Sequence, residues 1–208
     1  MRDDRDVIGR VYDPETLRAE MLVRRRALTA GDVARNSSLV VERLRGLPEL
    51  LDVACIGSYV GVRGEVDPAE LLESSDEQQI AFPVTTPGKP LRFVIPGGEL
   101  VDGPFGIRQP SHGLEVNPLD LNVVLVPLVA VDYQGNRVGH GGGYYDRTFS
   151  EVSWRHRPAP DRAQDGNWAP LPLLIGLCHE FQVVSAIEAR PWDVPVHMVV
   201  TEVGLIRP

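Results

Sequence analysis

The chain has 208 residues, 43% hydrophobic and 24% charged, the composition of a soluble globular domain with one substantial core. Its formal net charge of -8 argues against a general nucleic-acid or anionic-membrane partner, because both need a basic face. The longest apolar run, Leu121 to Val131, is too short to span a bilayer, and the charged start Arg2-Asp3-Asp4-Arg5-Asp6 lacks the apolar core of a signal peptide.

Cys55 and Cys178 both sit among apolar residues, which predicts buried free thiols and a cytoplasmic location rather than a disulfide framework. Residues 1–13 read as a flexible leader, and 14–208 as one domain. From Glu15 to Leu28, Leu17, Met21, Leu22 and Leu28 fall on one helical face, with Arg24, Arg25 and Arg26 on others. Thr29-Ala-Gly-Asp reads as a break and a new N-cap. The second helix carries Val33, Leu39, Val40 and Leu44 and ends near Gly46-Leu47-Pro48.

Val53 to Val60 is predicted as a buried strand, and Asp67-Pro68 as the opening of a short helix through Leu71 and Leu72. Strands follow at Ile80–Val84 and Leu91–Ile95. Leu121–Val126 and Leu171–Cys178 are apolar on both faces, as central strands covered by helices on each side must be. Met198 to Ile206 reads as a final strand, and Arg155 to Trp168 as a polar, proline-containing surface loop. Alternating strands and helices predict an α/β class: a single layered α/β/α domain with a mostly parallel central sheet.

The most informative segment is Gly135-Asn136-Arg137-Val138-Gly139-His140-Gly141-Gly142-Gly143-Tyr144-Tyr145-Asp146-Arg147. Four glycines in the five positions from 139 to 143 let the backbone approach a ligand closely. N–H groups in such a loop can receive phosphate oxygens, with Arg137 and Arg147 to neutralise charge. The segment is neither a Walker loop nor a dinucleotide fingerprint. On composition alone a glycine-rich turn, anchored by Tyr144 and Tyr145 in the core, remains an equal reading.

Arg-x-Gly-x-Gly-x-Gly-Tyr-Tyr-Asp resembles the signature of the 5-formyltetrahydrofolate cyclo-ligase family. The resemblance extends from about Leu17 to Glu202. It takes in Leu17-Arg18, Gly64-Glu65-Val66-Asp67, Phe105-Gly106-Ile107-Arg108-Gln109-Pro110, Ile175-Gly176-Leu177 with Gln182, Asp193-Val194-Pro195 and Val199-Val200-Thr201-Glu202. It implies transfer of the ATP γ-phosphate to the formyl oxygen of 5-formyltetrahydrofolate, attack by N10 and loss of phosphate, giving 5,10-methenyltetrahydrofolate. Such chemistry needs positioning and charge neutralisation more than a protein nucleophile.

By the resemblance, Arg18, Arg137 and the loop of Gly139, His140, Gly141, Gly142, Gly143, Tyr144 and Tyr145 bind ATP. Val60, Glu65, Phe105 and Tyr145 line the folate site, with Glu65 on the pterin N–H edge. Asp146 and Asp193 hold Mg2+, and Arg137, Tyr145 and Asp146 are the catalytic set. The implied partners are the two small-molecule substrates, with a monomer or weak dimer as the assembly. The pattern is broken at Pro14, where the family has a phosphate-binding lysine. The only lysine here is Lys89, and Arg10 is a candidate substitute. His140, Leu128, Glu188, Arg190, Trp192 and His197 also depart from it. These changes leave open a weakly active folate- or nucleotide-binding paralogue, or a sugar-phosphate or acyl-CoA enzyme of similar architecture.

Overall fold

The computed structural model describes residues 9–51, 53–73, 78–150 and 172–208. The loop predicted over Arg155–Trp168 lies outside them. Within the stretch read as a leader, residues 9–13 are described and include a strand. Strand β1 (Val11–Tyr12) pairs in parallel with residues 186–187, and the Ser185 hydroxyl donates to the Arg10 carbonyl at 2.6 Å. Val11 and Tyr12 have the β-branched and aromatic side chains that suit a short strand.

Helix α1 (Pro14–Arg26) starts where Asp13 accepts the Thr16 N–H at 2.8 Å and proline takes the first helical position. Its buried residues are Leu17, Met21 and Arg25, spaced by four, so the third member of the inward stripe is an arginine. In the sequence Arg25 falls with Arg24 and Arg26 outside the apolar face, and burial in the fold turns it inward. Helix α2 (Ala30–Arg45) opens on the predicted Thr29 cap, which forms a capping box with Asp32.

The remaining elements are β2 (Cys55–Gly57), α3 (Ala69–Glu73), β3 (Gln79–Val84), β4 (Arg92–Pro96), β5 (Leu100–Asp102), β6 (Arg108–Pro110), β7 (Gly113–Val116), β8 (Val123–Pro127), β9 (Ala130–Asp132), β10 (Arg137–Val138), α4 (Tyr144–Thr148), β11 (Leu173–Leu177), β12 (Val183–Val184), β13 (Ala186–Ile187), β14 (Met198–Val200) and β15 (Leu205–Ile206). Met198 to Ile206 is thus a hairpin rather than one strand. The Thr201 hydroxyl accepts the N–H groups of Val203 (3.2 Å) and Gly204 (3.1 Å) and turns the chain back.

Among the described residues the large sheet has the order β15-β14-β11-β8-β2-β3-β4-β7. Its centre, from β14 to β3, is parallel, and both flanks are antiparallel. In β8, Val123 and Leu125 pack into the cluster of Val40, Val41 and Leu44 from α2. Val124 and Val126 face the opposite cluster, which contains Phe93, Phe149, Val194 and Val196. Strict alternation along a strand buried on both sides produces this split. The second face is covered by Phe149, just past the five-residue helix α4, and by the loop around Val194.

Beyond the ends of β8 and β11, a small sheet of order β10-β9-β12 continues the chain. Helix α1 lies against it, with Leu17 and Met21 packed on Val129, Ala130 and Val138. This placement sets α1 beside the carboxyl ends of the central parallel strands, where open α/β sheets form ligand crevices. Among the described residues no helix is long and apolar enough to cross a membrane.

Candidate active site

The glycine loop leaves β10 and enters α4. Gly141 (φ 93°) and Gly143 (φ 61°) lie in the left-handed region, where a side chain would be strained. Among the described residues, none of the N–H groups from Gly139 to Gly143 donates to a main-chain carbonyl. Among the described residues these donors have no carbonyl partner and can take ligand oxygens. Arg18 from α1 closes the loop from the other side, its Nε donating to the Gly139 carbonyl at 2.7 Å. Helix and loop, 121 residues apart in sequence, are thereby joined.

At the far end of the loop, Arg137 Nη2 meets Asp146 Oδ1 at 2.7 Å, and that oxygen also accepts the Val194 N–H at 3.1 Å. The Arg137 guanidinium stands 5.8 Å from the centre of the Tyr145 ring, which stacks on Phe149 at 6.2 Å. Burial pushes the Tyr145 phenol well above its ordinary value, so it keeps its proton. The predicted catalytic trio, Arg137, Tyr145 and Asp146, is therefore contiguous. Asp193 is next to Val194, hence close in the chain to the Asp146 contact. Its Oδ2 accepts the Arg190 N–H at 2.8 Å in its own turn.

Of the residues that the resemblance assigns to folate, Val60 and Glu65 follow the carboxyl end of β2. Val60 is half-buried just past that strand. Glu65 is buried at 7% exposure. The loop that carries it is folded on itself: Glu65 Oε2 accepts the Val62 N–H at 3.1 Å, and the Tyr59 hydroxyl donates to the Val66 carbonyl at 2.6 Å. Burial raises the Glu65 carboxyl above its ordinary 4.5, opposed chiefly by the charge of Arg25. Phe105 is 57% exposed, and its ring meets that of Tyr144 edge-on at 6.5 Å.

Several residues that sequence reasoning passed over complete the arrangement. Arg25, 1% exposed, places Nη2 2.7 Å from His140 Nε2 and 3.6 Å from Glu65 Oε1. A guanidinium only donates, so His140 Nε2 accepts and its proton sits on Nδ1. Burial, reinforced by Arg25, lowers His140 to about 4, so the ring is neutral at neutral pH. His140 therefore brings no positive charge to the phosphate loop; its observed partner is Arg25. His179, fully buried, accepts from Asn36 at Nδ1 (3.1 Å) and donates from Nε2 to the Gly64 carbonyl at 2.9 Å, fixing the Glu65 turn from behind.

Arg63 and Phe105 are the non-glycine residues with positive φ among those described (52° and 64°). They are bonded to each other, Arg63 Nη2 donating to the Phe105 carbonyl at 2.9 Å. Strained backbone conformations gather where a ligand must be met in a fixed geometry. Here they fasten the aromatic Phe105 beside the loop that ends in Glu65.

A model of the 5-formyltetrahydrofolate cyclo-ligase family matches residues 11–202. The chain belongs to that family. The 5-formyltetrahydrofolate cyclo-ligase of Escherichia coli (strain K12) is 29% identical over 186 residues, covering 86% of this chain and 94% of that protein. Its Haemophilus influenzae counterpart is 29% identical over 191 residues, covering 88% and 94%. The solved structure of Aquifex aeolicus 5,10-methenyltetrahydrofolate synthetase superposes with a TM-score of 0.75 at 30% identity, over 93% of this chain and 92% of that one. The glycine loop meets the buried Glu65 carboxylate at His140, whose Nε2 is 3.6 Å from Glu65 Oε1, and Pro14 falls at the start of α1 beside Asp13.

Proposed function

We propose that this protein is a 5-formyltetrahydrofolate cyclo-ligase, converting 5-formyltetrahydrofolate and ATP to 5,10-methenyltetrahydrofolate, ADP and phosphate. One observation carries the reading. The loop suited to phosphate and the carboxylate suited to a pterin converge on one buried guanidinium, 2.7 Å from His140 and 3.6 Å from Glu65. Two substrates held on opposite sides of Arg25 would have their reacting atoms brought together, which is the main requirement of phosphoryl transfer.

In this reading the N–H groups of Gly139 to Gly143, with Arg18 and Arg137, take the ATP phosphates and neutralise the charge that develops on transfer. The formyl oxygen attacks the γ-phosphorus, ADP leaves, N10 attacks the activated formyl carbon, and phosphate departs as the C–O bond breaks. Glu65 accepts hydrogen bonds from the pterin N–H edge, while Val60, Phe105 and Tyr145 enclose the ring. Residues 14–208 act as one unit, a cytoplasmic monomer or weak dimer.

The donor chemistry fits Mg2+. Asp146 and Asp193 present hard carboxylate oxygens, and Asp146 Oδ2 has no protein hydrogen bond among the described residues. Substrate phosphates and water would complete the coordination, since no protein cluster of three acidic, His or Cys side chains is present among the described residues. When bound, the ion would offset the negative charge of the phosphates.

The test is an assay of the purified protein by the absorbance of methenyltetrahydrofolate. Product should form with ATP and magnesium present and fail to form when either is withheld. Folate and ATP binding with little or no turnover would instead establish the catalytically weak or inactive folate- or nucleotide-binding paralogue.

A further inference from the structure

The reaction as set out above uses Arg25 only as the point where the two sites meet, and packing alone does not account for it. It completes the Leu17–Met21–Arg25 stripe of α1, a position an apolar side chain would fill without the cost of burying a charge. Its Nε is buried without a partner, and Nη1 reaches only the Leu128 carbonyl at 3.4 Å. An ion pair so placed is a poor stabiliser. Yet Gly64 (φ 77°) packs so closely that a Cβ there would stand 3.3 Å from the Arg25 carbonyl oxygen and 3.5 Å from its Cγ. The Glu65 turn is moulded on this arginine.

The groups facing Glu65 are Arg25 from α1, Arg63 and Asp67 from its own loop, His140 from the glycine loop, Tyr59 just past β2, and Tyr145 of α4. The tyrosines keep their protons, His140 is neutral at neutral pH, and Arg63 is exposed. Arg25 is the buried cation of the set. Glu65 Oε2 is taken by the Val62 N–H, whereas Oε1 touches Arg25 only at 3.6 Å, longer than a hydrogen bond. The carboxylate thus feels the charge while Oε1 remains open to a donor.

We propose that Arg25 is the positioning residue of the folate site, keeping the buried Glu65 ionised with Oε1 free for the pterin, and tying that carboxylate to the phosphate loop through His140. The inference rests on the cyclo-ligase reading. A wild-type protein without activity would remove that reading, whereas the outcomes below, read on active wild-type enzyme, bear on Arg25 alone.

The experiment is a double-mutant cycle on the full chain, scored by KM for 5-formyltetrahydrofolate and for ATP. Arg25→Met, which keeps bulk and removes charge, should raise the folate KM about tenfold, the order of one lost charged contact, and change the ATP KM less than about threefold. The acid limb of kcat/KM for folate should move to higher pH, because Glu65 loses the cation that favours its ionised form. In a Glu65→Gln background the same substitution should add little, since Arg25 acts through Glu65. Equal cost in both backgrounds, or an acid limb that stays in place, overturns the proposal. Should Arg25→Met fail to fold, Arg25→Lys gives the same reading. It keeps the charge, so the limb should remain near its wild-type position, and any rise in folate KM should again vanish with Glu65→Gln.

Discussion

The surface pair Arg92–Glu115 and the buried pair Arg25–Glu65 invert the usual link between geometry and importance. Arg92 grips Glu115 with two hydrogen bonds of 3.0 and 2.8 Å across β4 and β7, both side chains more than half exposed. Solvent screens that pair and ordering two long side chains offsets most of the gain. Arg25 approaches Glu65 only to 3.6 Å, but both are almost wholly buried. There a loose contact sets the charge of Arg25 against the rise that burial imposes on the Glu65 carboxyl. The better-formed bridge is screened by solvent, and the looser one lies in the candidate site.

The largest effect expected is at the metal-and-phosphate end. Asp146→Asn keeps an Oδ1 acceptor for the Val194 N–H but removes the charge that meets Arg137 and would hold magnesium. Turnover should fall on the order of a hundredfold, as for loss of one electrostatic contact to a transition state, with thermal unfolding nearly unchanged. Wild-type turnover in this variant would show that catalysis does not use Asp146.

Next comes Glu65→Gln, which replaces an acceptor by a donor facing the pterin edge. Folate affinity should weaken by about 1–3 kcal/mol while ATP affinity holds. The wild-type folate kcat/KM should decline as pH falls through a carboxyl value above the ordinary 4.5, because burial raises Glu65 and protonation removes its charge and sets an O–H donor where the pterin needs acceptors. That limb should be absent from the glutamine variant. Equal loss of both ligands would make Glu65 a structural residue and end the contrast with the surface pair.

A smaller effect is expected at the start of α1. Asp13 already caps that helix, so an anion occupies the place where a phosphate would approach. Pro14→Lys should tighten ATP by a few-fold, at most about tenfold, if the family lysine is truly lost here. Arg10 packs on Tyr12 at 4.5 Å. If Arg10 supplies the charge instead, Arg10→Ala should weaken ATP and Pro14→Lys should do nothing. Thermal unfolding of both variants controls for the loss of proline. The smallest effect is Arg92→Gln, for which neither melting temperature nor turnover should move resolvably. A clear drop in stability would mean that exposure is a poor guide to these ion pairs.

Much of the site was legible in the chain. The glycine run could be named because local backbone conformation constrains its residue type, and Tyr144-Tyr145-Asp146 and Arg18 because the family resemblance carries them. The backbone constraint is short-range and survives in a linear text. The strands β8 and β11 were equally legible, because burial on two faces leaves an unbroken apolar run. The Met198–Ile206 hairpin was missed because Thr201 can sit in a strand or turn it, and the hydroxyl's partners choose between these.

By itself, then, the sequence determined the order of helices and parallel strands, the two-sided core of the central strands, and the glycine loop with its flanking cations. Each follows from periodicity or from a residue whose conformational freedom is needed where it stands. Tertiary structure alone decided that Arg25 turns inward, that His140 meets it as a neutral acceptor, that His179 braces Gly64, and that Arg63 clasps Phe105. A charged side chain one heptad beyond Arg18 reads as solvated until the chain is closed. What fixes it is a turn at residues 62–65 and a loop at 139–143, each brought to α1 by packing between elements distant in sequence.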